Sequence, residues 1–136
     1  MIKVNNVNPK VLIRMVTGGA VTKGALLVLS GETAVEAAAG VATQIIVGVA
    51  AESADSGDVA IIYPVIGEVL EIDIDTDGTK TTFTDADLGE SYDISVASHD
   101  YSLDPDDTTG PLRLIAYDND KAVAQVMVKA LYCAVA

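Results

Sequence analysis

At 136 residues and 14.0 kDa the chain fits one domain and can bury a core without a metal or disulfide. Half of its residues are apolar, but only 4% are aromatic and Trp is absent, so the apolar mass is Ala and Val. Eight basic against twenty acidic residues leave a net charge of −12, which repels phosphate backbones and anionic lipid and excludes nucleic acid and membrane as partners.

Residues 1–10 read as an extended, polar arm, because Asn5, Asn6, Asn8 and Pro9 do not suit a core strand. The start, Met1 to Asn6, has no apolar h-region, and no secretory signal is expected. The remainder, 11–136, reads as a single β domain. Short Val/Ile/Leu runs at 11–16, 25–29, 45–50 and 59–63 are each bounded by Gly, Asp, Ser or Pro, as strands are. Thr33 to Ala39 contains helix-favouring Ala and Glu, but Gly31 and Gly40 confine it to a short helix or an edge strand. The uncharged stretch 37–51 is broken by Gly40, Gln44 and Gly48 and falls short of the ~20 residues of a spanning helix.

Alternation is clearest in Val69 to Asp75, which sets Leu70, Ile72 and Ile74 on one face and carboxylates on the other. Tyr92 to Val96, Leu112 to Tyr117 and Val123 to Ala130 complete the predicted strands. Turn residues separate them at Gly18-Gly19, Ser30-Gly31, Asp55 to Asp58, Asp77-Gly78 and Asp118 to Asp120. The pattern predicts an all-β fold, a small barrel or sandwich of short antiparallel strands. Charge divides the chain: residues 1–68 hold four basic and six acidic groups, residues 69–136 four basic and fourteen acidic. The second half's acids, dense from Asp73 to Asp107, are expected to face solvent.

Little in this sequence suggests catalysis. The one cysteine, Cys133, sits in Leu131 to Val135 and reads as a small hydrophobe. His99 lies between Ser98 and Asp100, but neighbours in an extended segment point to opposite faces and cannot form a relay. In Thr17 to Gly24, Lys23 precedes the last Gly and Ala25 follows, so the order of a phosphate-binding loop fails. Asp73-Ile74-Asp75-Thr76-Asp77-Gly78 opens like a calcium loop, yet its twelfth position is Thr84 rather than the bidentate Glu. The favoured reading is a hairpin, with Thr79 to Thr84 returning beside Val69 to Asp75 and no bound cation. No metal, cofactor or catalytic residue is expected, and the chain reads as a non-enzyme.

The order of motifs carries a resemblance. Gly19-Ala20-Val21-Thr22-Lys23-Gly24-Ala25-Leu26-Leu27-Val28-Leu29 precedes Val35 to Gly40, then Ile46-Val47-Gly48-Val49-Ala50-Ala51, Ser56-Gly57-Asp58-Val59-Ala60-Ile61 and Gly67-Glu68-Val69. This resembles the capsid cement, or head decoration, proteins of tailed bacteriophages. Asp87 to Ile94 and Leu112 to Ile115 are similar to the C-terminal part of such proteins. The resemblance implies a structural protein on the exterior of the phage head, made in the host cytoplasm. It implies the major capsid protein as partner, a homotrimer at local threefold points, and bridging of capsid subunits against internal pressure.

Capsid contact is expected from the arm, through Ile2, Lys3, Val4, Val7, Pro9 and Lys10. Lys3 and Lys10 are basic groups in an acidic chain, and the aliphatic side chains would anchor an extended segment along a neighbour's sheet edge. The alternative for the arm is an ordinary first strand. The alternative function is a non-catalytic β-barrel module binding a partner or carbohydrate, although six aromatic residues offer a sugar few stacking surfaces.

Overall fold

A computed structural model describes residues 2–4, 12–38, 45–65 and 67–129. Val7, Pro9, Lys10 and Cys133, singled out above, lie outside the described residues. The fold is all-β. Its strands are β1 (Lys3–Val4), β2 (Ile13–Val16), β3 (Leu26–Ser30), β4 (Thr33–Glu36), β5 (Ile46–Ala50) and β6 (Val59–Tyr63), then β7 (Leu70–Ile74), β8 (Ser91–Ala97), β9 (Asp100–Asp104), β10 (Leu112–Asp118) and β11 (Val123–Val128).

The strands form two sheets. The first runs β2-β6-β5-β3-β4 with antiparallel neighbours. A parallel bridge from Thr17, just past β2, to Ala34 on β4 ties its two ends together. The second runs β1-β7-β11-β10-β8-β9 and closes through a further β7–β9 pairing. That pairing is parallel, Asp73 opposite Ser102 and Ile74 opposite Leu103, where the sequence suggested antiparallel strands only. Thr33 to Glu36 is a strand, joined to β3 by a tight turn in which Gly31 takes φ +60°, the left-handed conformation such turns require at their first central position.

Period-two alternation explains the core. Leu70, Ile72 and Ile74 of β7 are buried, as are Ala124, Val126 and Val128 of β11 and Leu112 and Leu114 of β10. They join Leu26, Val28, Ile46, Val49 and Ile62 of the first sheet in one continuous apolar cluster. Polar contacts also cross between the sheets. The Tyr101 hydroxyl on β9 donates to the Ala37 carbonyl at 3.0 Å, and burial pushes its phenol above the usual range. Among the described acids of the second half, most face solvent, but Asp93 is buried, with its carboxylate accepting from the Ile94 N–H at 2.7 Å.

Two local readings need correction. Thr79 to Thr84 does not return as a strand: β7 is flanked by β11 on one edge and by β1 and β9 on the other. The segment runs instead to a one-turn 3-10 helix, Asp85–Asp87, with a capping box between Thr84 and Asp87. The first described residues are also no free arm. Ile2 is 3% exposed, its N–H donates to the Gly24 carbonyl of the first half, and Lys3–Val4 pair with Glu71 and Leu70 of the second. Two paired residues thus strap one sheet to the other.

This placement gives a test. Ile2→Ala removes buried aliphatic surface where both halves meet and should cost about 2–4 kcal/mol. Urea unfolding measures it, and an unchanged midpoint would mean Ile2 is not part of the core.

Candidate functional site

Ser98 and His99 form the two-residue turn between β8 and β9, since Ala97 pairs with Asp100 and Ser98 takes φ 53°. The segment is therefore a tight turn rather than extended. His99 Nδ1 lies 2.7 Å from Glu36 Oε2 across the two sheets, while Glu36 Oε1 accepts from the Thr22 N–H at 2.6 Å. With the His99 side chain largely exposed, this contact is worth little energy. It fixes a turn and aligns no nucleophile.

The Asp73 to Gly78 segment is spent on backbone. Asp73 lies within β7, and the Asp75 carboxylate accepts from the Asp77 N–H at 3.0 Å. Past Gly78, the Asp106 carboxylate accepts from the N–H groups of Thr79 and Lys80 at 2.8 and 2.9 Å. Among the described residues no three His, Cys, Asp or Glu side chains gather as a metal-ligand set.

A denser polar cluster follows in the second half. Asp87 accepts from Lys80 Nζ at 2.7 Å, from the Tyr92 hydroxyl at 3.1 Å and from the Thr84 N–H at 2.8 Å. Lys80 also lies over the rings of Phe83 and Tyr92, which meet edge to face at 5.0 Å. The Lys80 hydrogen bond, opposed by burial and aided by Thr84 and Tyr92, draws the Asp87 carboxyl down to about 2. Burial and the Asp87 carboxylate push the Tyr92 phenol up to about 12. Nothing reactive is poised here, because the lysine, carboxylate and phenol satisfy one another.

The feature without an internal purpose is an apolar face. Residues paired across strands share a face, as do every second residue along one. Val16 on β2 opposes Val59 on β6, and Ile61 and Tyr63 follow on the same face, with Arg14 opposite Ile61. Val59, Val16 and Tyr63 are 54%, 46% and 43% exposed. The sequence reading did not find this face, since β2 and β6 lie far apart in the chain and their register is not written in either.

Of the expected capsid contacts, Ile2 is buried, Lys3 is exposed and pairs with Glu71 at 3.7 Å, and Val4 is half-buried in β1. Shallow hollows of about 350 Å³ and about 310 Å³ lie beside Glu71, Asp118, Lys121 and Gln125 and beside Thr22, Ser53 and Asp55. Among the described residues no helix is long and apolar enough to cross a membrane. Compared with protein-family models and with curated proteins, the chain matches none.

Proposed function

We propose that the chain is a non-catalytic capsid decoration protein of a tailed bacteriophage. In this reading it sits on the head exterior as a homotrimer and stabilises the shell by bridging neighbouring copies of the major capsid protein. One observation carries it: an exposed apolar face, Val16, Val59 and Tyr63, on a chain of net charge −12. A solitary soluble protein gains nothing from such a face, whereas a docking protein does. The glycine-punctuated order of motifs, from Gly19 to Gly24 through Ser56 to Gly67, supplies the link to cement proteins.

The acidic surface suits the role, because self-repulsion keeps free subunits apart until they dock. With Ile2 buried, the arm's proposed share of the contact rests on the exposed Lys3 together with Val7, Pro9 and Lys10. The test uses expanded shells assembled from the major capsid protein of the same genome. The chain should sediment with the shells and raise the temperature at which they disrupt. Shells that neither retain it nor gain stability would overturn the reading.

A further inference from the structure

Asp77-Gly78 is the one Asp-Gly pair in the chain, and both residues are exposed. The fold requires the glycine. A Cβ at residue 78 would collide with the Asp106 carboxylate, which lies there to accept from the N–H groups of Thr79 and Lys80 at 2.8 and 2.9 Å. A residue without a side chain is therefore held directly after an exposed aspartate. With no Cβ beside it, the glycine nitrogen is the least shielded that any residue can offer.

The surrounding bonds leave the two groups that could react free. The Asp75 carboxylate accepts from the Asp77 N–H at 3.0 Å, and those of Asp104 and Asp107 accept from the N–H groups of Asp106 and Thr109 at 2.9 and 3.0 Å. The Asp77 carboxylate and the Gly78 N–H have no hydrogen bond or ion pair with any of the described residues.

We propose that Asp77-Gly78 is a self-modification site, at which Asp77 converts to isoaspartate and releases the Asp106 clasp on Thr79 and Lys80. The Gly78 nitrogen attacks Asp77 Cγ and forms the new C–N bond. The carboxyl oxygen leaves as one water, taking the amide proton, and a five-membered succinimide remains. Water then adds to one ring carbonyl and breaks its C–N bond. Opening at Cγ restores aspartate, whereas opening at the main-chain carbonyl routes the chain through Cβ and Cγ. Nothing is oxidised or reduced, and water is the only co-reactant. The isoaspartyl chain is longer by one carbon just before Gly78, where Asp106 packs against the backbone, so Thr79 and Lys80 are carried off its carboxylate. The proposal rests on this loop and is independent of the decoration reading.

Ageing the full chain in warm, mildly acidic buffer and mapping its peptides tests the proposal. A species lighter by one water should appear first at residues 77–78. A product of unchanged mass, accepted by an isoaspartyl carboxyl methyltransferase, should follow. Asp55-Ser56 is the internal control, an equally exposed aspartate whose successor carries a side chain. Conversion at Asp77 should outpace conversion at Asp55 by about tenfold or more. Asp77→Glu, which would have to close a six-membered ring, should fold like wild type and lose the methylation. In the isomerised chain, amide hydrogen exchange at Thr79 and Lys80 should quicken by about tenfold or more. Aged protein with no isoaspartate at residue 77, or with equal conversion at Asp55, overturns the proposal. So does an Asp77→Glu variant methylated as fully as wild type, or an isomerised chain in which exchange at Thr79 and Lys80 is unchanged.

Discussion

Alanine at position 110 is expected to leave the second sheet unable to close. Gly110 lies in the turn leading into β10 and packs flat against β8. A Cβ there would penetrate the backbone of Tyr92 and Asp93 rather than a movable side chain. The neighbouring geometry cannot relax cheaply. The Asp93 N–H donates to the Asp107 carbonyl at 3.1 Å, and Asp107 in turn accepts from the Thr109 N–H at 3.0 Å. Gly48 presents the same problem in the first sheet. It sits where the pairing of β5 with β3 shifts register, and an added Cβ would meet the Tyr63 carbonyl and, at 2.6 Å, Ile62 Cγ2. Each substitution should cost about 3 kcal/mol or more, a large part of a typical domain's stability. Gly19→Ala is the control, with no atom beyond its own chain neighbours within 4 Å of the new methyl, and it should be near neutral. Urea unfolding of the three variants checks the order. Equal midpoints for Gly110→Ala and Gly19→Ala would refute the packing argument.

These two glycines mark what the sequence could and could not tell. The strands with their own alternation or branched-residue runs, such as Val59 to Tyr63 and Leu70 to Ile74, were legible because burial on one face is written directly into period two. β9 escaped notice because Asp100 and Asp104 make it look like loop, although Tyr101 and Leu103 already alternate inward. β1 has two residues, too few to carry a pattern.

The failed hairpin is more instructive. Asp77-Gly78 is a sound local turn signal, but the chain after it finds better partners far away. Asp106 captures the N–H groups of Thr79 and Lys80. The Asn119 side chain takes the Phe83 N–H at 3.0 Å and donates to the Phe83 carbonyl at 2.8 Å, imitating a strand partner. Local turn chemistry lost to tertiary hydrogen bonds that no short window contains. The candidate docking face was hidden for a related reason: Val16 and Val59 become neighbours only once β2 and β6 are in register.

Asp87→Asn is expected to destabilise the second half by about 1–2 kcal/mol near neutral pH, through loss of charge rather than of shape. In the folded chain the Asp87 carboxyl is held at about 2 instead of 3.8, chiefly by the hydrogen bond from Lys80. A carboxyl whose folded pKa is depressed stabilises the native state above its unfolded pKa and loses that contribution as pH falls. The gap between wild type and Asp87→Asn should therefore be full above pH 3.8 and close as pH drops to about 2. Asp87→Ala should cost more, about 2–3 kcal/mol, because it also strips an acceptor from the buried Tyr92 hydroxyl and from Lys80. Tyr92 has the opposite sign. Its folded pKa is raised from 10.0 to about 12, so its contribution is complete below pH 10.0 and is lost as pH climbs through about 12. Lys80→Met should shrink the acid-side effect, since the first cause of the Asp87 shift is gone, while leaving the Thr84 and Tyr92 hydrogen bonds in place. Urea unfolding at a series of acidic pH values resolves the two substitutions. If the wild-type and Asp87→Asn stabilities stay parallel from neutrality down to pH about 2, Lys80 is not holding the Asp87 charge in the folded state.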